Sequence, residues 1–332
     1  MNKRMIALLS TLSLSLSLPF TPANAVWKGT TNFEDKRTVP ILFHSGSVYC
    51  ASGFLYSPRI VFSVAHNFFK ENDLEKEHVT KRDAIWVGYP NDTLTPGVRR
   101  VSVEKFFIPE GYKSRTAWTG GNRITRINDF AVLVLKSPLP TDNKPVELLT
   151  PELHDQYIQS NEQINLTGYG TQLREQAGQE CVNRRPSSFQ STITGKTISP
   201  GNVSWTATLN TKVAPGMPNM CDGDSGAGHT KLLSDKYIYL GAAGAGGFLN
   251  HNCAAYEPWL NEESTMGADP VYLFTDLIAQ AEKYVADNPY VEPKTASAGS
   301  NKKTTINCIR DNTTKRVSGL SHKCPKGFKK KL

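Results

Sequence analysis

Short apolar runs alternate with turn residues along most of this chain, a pattern typical of antiparallel strands. The predicted strands are residues 40–45, 49–57, 59–65, 85–89, 99–108, 130–135, 164–169, 203–209, 237–245 and 271–274. Apolar residues recur convincingly at helical spacing only over residues 274–287, which predicts one C-terminal helix ending before Pro289. Many short strands favour an all-β barrel or sandwich, and residues 26–290 are long enough for two barrels.

The first 25 residues have the pattern of an export signal. Lys3 and Arg4 precede an apolar run at residues 5–20, and a small-x-small cleavage site ends at Ala25. An uncleaved membrane anchor is the alternative, but the run is short for a span and prolines break it. No later stretch is apolar enough to cross a bilayer. We therefore expect a soluble mature protein that starts at Val26 and is secreted or periplasmic.

The net charge of +8 is unevenly distributed. Residues 293–332 hold eleven basic residues and one acid, which leaves residues 26–292 with a net charge of −4. Small and polar residues at 291–303 are typical of a linker. We therefore predict a body at 26–290 and a basic tail module at 304–332, which is too short to fold without a staple. The tail is a candidate for binding an anionic surface polymer, acidic lipid or nucleic acid; a solvated appendage is the alternative.

The segment around Ser225 carries the first candidate chemistry. Gly223 permits a turn in which the N–H groups of Gly223 and Ser225 point at one oxyanion. A serine hydroxyl also needs a base and a group that orients the base. Both have candidates upstream, namely His66 at the end of an apolar strand and Asp129 immediately before the apolar run at 130–135.

These candidates lie in the segments S-V-A-H, N-D-F-A-V-L and G-D-S-G-A-G, in the order His, Asp, Ser. The segments resemble T-A-A-H, N-D-I-A-L-L and G-D-S-G-G-P of the chymotrypsin/trypsin-like serine proteases. The resemblance extends from residue 26 to residue 288. It implies two antiparallel Greek-key β-barrels with the site in the crevice between them, and a C-terminal helix on the second barrel.

The resemblance also implies a function. It predicts an exported serine endopeptidase that hydrolyses peptide bonds of protein or peptide substrates through an acyl-enzyme. His66 would be the general base, Asp129 would orient its imidazole, and Ser225 would be the nucleophile, with Gly223 and Ser225 forming the oxyanion hole.

A second role implied by the resemblance concerns Asp224. In the family this carboxylate pairs with a new N-terminal amine, and the family start I-V-G-G-T resembles V-W-K-G-T beginning at Val26. We therefore expect removal of the signal to free Val26 and activate the enzyme. A start after Arg37 fits the pattern less well.

The specificity pocket is less well defined by the sequence. Asn219 occupies the position where trypsin-like members carry an acid that binds Lys or Arg, so strict trypsin specificity is doubtful. The implied pocket wall includes Gly244 and Gly246, where the family often has S-W-G. Asp269 opens a segment similar to P-G-V-Y and is a candidate for the pocket floor. These residues favour an uncharged or small substrate side chain.

Six cysteines in an exported chain predict disulfides. The resemblance implies one pair, proximity in the tail a second and elimination a third: Cys221–Cys253, Cys308–Cys324 and Cys50–Cys181. The family usually joins the Cys50 position to a cysteine directly after the histidine, where this chain has Asn67. Two buried free thiols are therefore the alternative for the third pair.

Two other functions fit parts of the sequence. The first is an inactive homologue that serves as an extracellular binding module, although this chain retains all three triad residues. The second is an α/β-hydrolase esterase, which needs G-x-S-x-G and alternating helices, whereas Ala227 occupies the last position of that motif. The sequence has no four ligands at zinc spacing and no nucleotide fingerprint, so we expect neither metal nor cofactor.

Overall fold

The computed structural model divides the chain into two compact units, Met1–Pro289 and Tyr290–Leu332. It describes residues 26, 29–32, 35–44, 48–69, 85–90, 99–117, 123–170, 184–197, 208–213, 217–221, 223–245, 264–292, 304–311, 313–319 and 324–330. The predicted signal at 1–25 and most of the predicted linker lie outside these residues. No helix of the described part of the chain is long and apolar enough to cross a membrane.

Six antiparallel strands close the first barrel in the order β2-β3-β4-β9-β6-β5. Their bounds are β2 Thr38–His44, β3 Val48–Ser57, β4 Ile60–Ser63, β5 Ile85–Gly88, β6 Arg100–Phe107 and β9 Ala131–Leu135. A separate hairpin joins β7 Lys113–Ala117 to β8 Arg123–Ile127.

The second sheet has eight strands, and six of them form a ring. Its order is β1-β12-β11-β14-β15-β16-β13, and an additional pairing of β12 with β13 closes the ring. Strand β1 lies on the outside of β12, and β10 runs parallel to β15. The bounds are β1 Thr30–Thr31, β10 Val146–Leu148, β11 Gln163–Gly168, β12 Ser187–Thr197, β13 Thr208–Val213, β14 Gly228–Leu232, β15 Tyr237–Ala245 and β16 Ser264–Pro270. The all-β prediction with two barrels is confirmed.

Strand β9 explains the uninterrupted apolar run at 130–135, because both of its faces are buried. Leu133 and Leu135 point into the first barrel, whereas Val132 and Val134 belong to the core that the two barrels share. Phe62 of β4 lies in the shared core as well, with its ring 5.0 Å from that of Tyr239 in β15. The two barrels are therefore packed directly on each other.

Two short helices accompany the barrels. Helix α1, Pro151–Ser160, was not predicted, and helix α2, Thr275–Asp287, matches the predicted C-terminal helix. Residues 271–274 were predicted as a strand but form the 3₁₀ turn Val271–Phe274, whose last residue stacks on a ring of the shared core. The predicted strand at 203–209 overlaps β13 only at its end, and its remainder lies outside the described residues.

The position expected for α2 was wrong, because the helix packs against β6 and β9 of the first barrel. The physical reason is a set of hydrogen bonds and an ion pair near the end of the helix, formed with residues of that barrel. Tyr284 donates its hydroxyl to Glu104 at 2.9 Å, and Arg59 joins the same carboxylate at 2.8 Å. Arg59 also donates to the carbonyl of Asn288 at 2.6 Å, at the end of the helix.

The unit Tyr290–Leu332 contains a three-stranded antiparallel sheet. Its strands are β17 Thr304–Arg310, β18 Thr313–Gly319 and β19 Lys329–Lys330, in the order β18-β17-β19. Cys308 and Cys324 form the predicted disulfide, with their Cα atoms 5.7 Å apart. The buried sulfur of Cys308 supplies the staple that such a small sheet needs.

Candidate active site

Strand pairing brings His66 next to Asp129. Strands β4 and β9 are neighbours in the first barrel, with Ser63 opposite Ala131. His66 follows this pair in the 3₁₀ turn Ala65–Asn67, and Asp129 lies two residues before Ala131. Asn128 has a φ of 54°, a left-handed conformation that asparagine tolerates and that turns the chain into β9. The register of two strands therefore fixes this pair of residues.

The carboxylate of Asp129 binds His66 through both of its oxygens. Oδ1 accepts the backbone N–H of His66 at 2.9 Å, and Oδ2 lies 2.7 Å from Nδ1. The side chain of Asp129 is only 5% exposed and that of His66 is 10% exposed. A carboxylate at Nδ1 favours the tautomer with a proton on that nitrogen, which leaves Nε2 to act as a base.

The loop that carries Ser225 is seated on the first barrel. The carbonyl of Ser225 accepts the N–H of Ser52 at 2.9 Å and the side-chain amide of Asn67 at 3.1 Å. Asn67 directly follows His66, so the hydrogen bond joins the serine loop to the histidine turn. The hydroxyl of Ser52 donates to the carbonyl of Gly223 at 2.8 Å. All three predicted triad positions therefore belong to one cluster of contacts.

Two glycines of the serine loop have positive φ angles, +97° at Gly223 and +89° at Gly226. A Cβ at Gly226 would lie 2.1 Å from the hydroxyl of Ser63 and 2.2 Å from the carbonyl of Ser52, so no larger residue fits. Within the described residues, the N–H groups of Gly223 and Ser225 have no acceptor. Two N–H donors in one turn can stabilise the oxyanion that develops during acyl transfer.

Asp224 lies within this loop, between Gly223 and Ser225, and is fully buried. Its Oδ1 accepts the N–H of Gly170 at 2.7 Å, and its Oδ2 accepts the N–H of Cys221 at 2.8 Å. Val26 is also fully buried, and it packs in an apolar cluster with Met220 and Ala227, which lie on either side of the loop in the sequence. The other members of this cluster are Leu166, Phe189 and Ala243. The start of the predicted mature chain therefore packs against the segments that flank Asp224.

The predicted pocket residues lie in different surroundings. Asn219 is buried, and its side-chain oxygen accepts the N–H of Met220 at 2.8 Å. Gly244 lies against the triad carboxylate, since a Cβ there would be 3.1 Å from Oδ2 of Asp129. Gly246 lies outside the described residues.

Asp269 contacts the candidate triad directly. Its Oδ2 accepts the backbone N–H of Asp129 at 2.8 Å. Burial raises the pKa of Asp269 to about 7; the N–H of Asp129 opposes this rise and the nearby Asp129 carboxylate adds to it.

Cys50 and Cys221 both belong to disulfides, and the predicted partners Cys181 and Cys253 lie outside the described residues. The guanidinium of Arg184 donates to the sulfur of Cys50 at 3.2 Å. It also borders the serine loop, because a Cβ at Gly223 would lie 3.0 Å from its Nη1.

Sequence reasoning missed the contacts made by Ser52, Asn67 and Arg184. None of these residues lies in a recognisable motif, and only Asn67 carries a signal, namely its position directly after the candidate base. Among the described residues, no group of three or more His, Cys, Asp or Glu side chains could hold a metal ion.

Comparison with known families finds that a family model described as Trypsin matches residues 28–236. The matched segment includes His66, Asp129 and Ser225. A search of curated proteins finds no match. Because the matched segment is more than half of the chain, the protein belongs to the trypsin family.

Proposed function

We propose that this chain is an exported, active serine endopeptidase that cleaves peptide bonds through an acyl-enzyme on Ser225. The observation that carries the proposal is the double hydrogen bond between Asp129 and His66, 2.9 and 2.7 Å. It lies beside a serine loop in which two backbone amides have no acceptor among the described residues. Each part supplies one step that acyl transfer requires, and the substrates are proteins or peptides.

The proposed reaction begins with proton transfer from Ser225 to His66 as the hydroxyl attacks the scissile carbonyl. The buried carboxylate of Asp129 stabilises the imidazolium that forms. The amides of Gly223 and Ser225 donate to the oxyanion, and removing one such donor costs roughly 3–4 kcal/mol of transition-state stabilisation. His66 then protonates the leaving amine, and water completes the cycle by the same route.

Labelling with a fluorophosphonate tests the proposal, because this reagent reacts with an activated serine. We expect stoichiometric labelling of the mature protein at Ser225 and none in Ser225→Ala. Asp129→Asn keeps the shape of the side chain but favours the wrong tautomer of His66, so turnover of a peptide substrate should fall by ~10⁴. A correctly folded protein that neither labels nor cleaves peptides would instead be an inactive binding module.

We further propose that signal removal activates the enzyme by freeing the amine of Val26 to pair with Asp224. The burial of Val26 among residues that flank Asp224 supports this step. A free α-amine titrates near ~7.7–8.0 and higher when ion-paired, so activity should fall at alkaline pH. Two or three extra residues before Val26 should abolish activity, and full activity in the extended protein would exclude the step.

The basic tail is proposed as a separate module, residues 304–332, that binds an anionic polymer outside the cytoplasm. Arg310, Lys315, Arg316 and Lys329 of its sheet are all exposed, and the neighbouring Asp311 is the one acid in residues 293–332. We expect retention on a sulfated polysaccharide column that weakens with salt. Replacing Lys315, Arg316 and Lys329 with glutamine should reduce retention; unchanged retention would favour a solvated appendage.

The specificity proposal rests on Asn219. Its amide is neutral and its oxygen already accepts an internal N–H, so it supplies no charge to a substrate lysine or arginine. We propose a preference for uncharged or small side chains before the cleaved bond. Cleavage of a denatured protein mixture tests this, since strict cleavage after lysine and arginine would contradict it.

A further inference from the structure

Two aspartates, Asp129 and Asp269, are in contact beside the candidate base, although they are 140 residues apart in the sequence. Asp269 is the next-to-last residue of β16 in the second barrel, and Asp129 precedes β9 in the first. The carboxyl of Asp269 accepts the backbone N–H of Asp129, and both residues are buried. The contact therefore joins the two barrels at the triad.

This hydrogen bond holds the end of Asp129 that the histidine does not hold. His66 contacts both carboxylate oxygens, and Gly244 closes one side of Oδ2. The main chain before Asp129 is in the left-handed conformation at Asn128, which leaves little freedom for an alternative path. A movement of the Asp129 backbone would be transmitted directly to the imidazole, and misplacement by ~1 Å can cost about 10²-fold in rate.

The surroundings of Asp269 determine how strongly its charge acts. In the sheet, Asp269 is paired with Ala242 of β15. The residue before it, Ala268, is paired with Leu209 of β13, so both neighbouring strands present apolar residues here. Among the described residues, the titratable groups on its remaining side are Asp129 and, through it, His66. Burial raises the pKa of Asp269 to about 7, so the carboxyl is neutral at acidic pH and becomes charged as the pH rises through neutrality.

We propose that Asp269 is a positioning residue of the triad: it fixes the main chain of Asp129 and places a second negative charge behind the imidazole. This inference rests on the proposed serine endopeptidase function. The charge favours the imidazolium that forms when Ser225 gives up its proton, because an anion stabilises a nearby cation at low local dielectric. The N–H acceptor keeps the carboxylate aligned in both states of the imidazole.

Asp269→Asn separates the two roles, because asparagine keeps an acceptor oxygen and nearly the same volume but has no charge. We expect the acid limb of kcat/KM to move to lower pH by roughly half a unit, because Asp269 is charged only in the upper part of this limb, while KM stays nearly constant. Asp269→Ala removes the acceptor as well, so it should show the same displacement and a further loss in kcat of roughly 10- to 100-fold.

The matched control is Asp142→Asn, which also removes one largely buried carboxylate charge but keeps an oxygen to accept from Arg37. This pair is not part of the triad, so we expect no displacement of the acid limb. Circular dichroism of every variant checks that the fold is kept.

An activity-independent measurement keeps this inference separate from the proposed function. In a Ser225→Ala background, NMR follows the imidazole of His66 through its titration with and without Asp269→Asn. We expect the midpoint to be at lower pH in the variant that lacks the Asp269 charge. An unchanged midpoint would overturn the electrostatic role, and an unchanged kcat in Asp269→Ala would overturn the positioning role. Failure of the native protein to label with fluorophosphonate would refute the proposed function alone.

Discussion

Replacing His229 with leucine should make the stability of the protein less sensitive to acid. His229 lies on β14 in the second barrel, paired with Leu166 on one side and Gly241 on the other. It is fully buried, and neither ring nitrogen has a hydrogen-bond partner among the described residues. Burial lowers the pKa of His229 to about 4, and the backbone of Gly241, which is near the ring but outside hydrogen-bond geometry, opposes this only in part.

The magnitude follows from the difference between the folded and unfolded states. An ordinary histidine has a pKa of 6.5, so the pKa is lowered by about 2.5 units, which corresponds to about 3 kcal/mol. Between pH 6.5 and 4 the unfolded chain takes up a proton at His229 that the folded chain does not. The folded state therefore loses this stability progressively as the pH falls through that window, and His229 has no such effect above it.

Asp269 has the opposite dependence in the same window. Because its pKa is raised from 3.8 to about 7, the folded protein keeps a proton there that the unfolded chain has released, and its ionisation costs stability as the pH rises. The pH profile of the native protein therefore contains both contributions. The difference between native protein and His229→Leu isolates the histidine, since Asp269 is the same in both.

Urea denaturation at several pH values between 4.5 and 7.5 measures this difference, in a Ser225→Ala background that prevents self-digestion. The difference in unfolding free energy between the leucine variant and its parent should increase by about 2–3 kcal/mol in favour of the variant as the pH is lowered. Thr211→Val is the matched control, because it also removes a buried polar atom without a partner among the described residues, but one that does not titrate. Parallel pH profiles for parent and leucine variant would refute the reasoning.

Three further substitutions have defined outcomes. Arg37→Met leaves the largely buried Asp142 without its cation and should cost about 3–5 kcal/mol of unfolding free energy in urea, whereas a loss below 1 kcal/mol would contradict a structural ion pair. Gly226→Ala places a methyl group against Ser63 at a positive φ, so fluorophosphonate labelling should be lost while the barrels still fold, as circular dichroism checks. Cys308→Ser opens the disulfide of the tail sheet and should remove about 3 kcal/mol, seen as fast hydrogen exchange in β17 and β18 but not in the barrels.

Much of the fold could be predicted from the sequence, because most strands bury at least one face and their apolar runs are visible. Strand β15 was predicted with its observed bounds, Tyr237–Ala245. Helix α1 was missed, although Thr150 caps it by accepting the N–H of Leu153 and Pro151 occupies its first turn. Helix α1 has few apolar residues at helical spacing, so the periodicity of the sequence did not indicate it. Its capping residues do indicate a helix start.

The errors at the C-terminal helix have a tertiary cause. The apolar residues at 271–274 pack inward as a 3₁₀ turn, and Phe274 stacks on Phe130 with the ring centroids 4.6 Å apart. Four consecutive apolar residues fit a strand or a buried turn equally well. The choice between the barrels depended on Tyr284, whose partner Glu104 lies 180 residues away in the sequence. Local patterns do not carry contacts of that range.

The sequence predicted the motif residues of the candidate site but not the residues that hold them in place. His66, Asp129 and Ser225 lie in recognisable segments because their chemistry restricts the residue types around them. Ser52 and Asn67 act on Ser225 through backbone atoms or a side-chain amide, and many residue types could do so in other chains. Their roles therefore become visible only when both barrels are present together.

The candidate chemistry depends on how the two barrels are joined, since the candidate triad residues come from both. His66 and Asp129 belong to the first barrel, and the loop of Ser225 leads into β14 of the second. Hydrogen bonds hold the halves in register at two points: Ser52 to the carbonyl of Ser225, and Asp129 to the carboxyl of Asp269. The apolar core shared by the barrels supplies adhesion, but apolar contacts are non-directional and tolerate small displacements. Directional bonds at the candidate catalytic residues themselves set the geometry, so substitutions at Ser52 or Asp269 should lower turnover more than they lower stability.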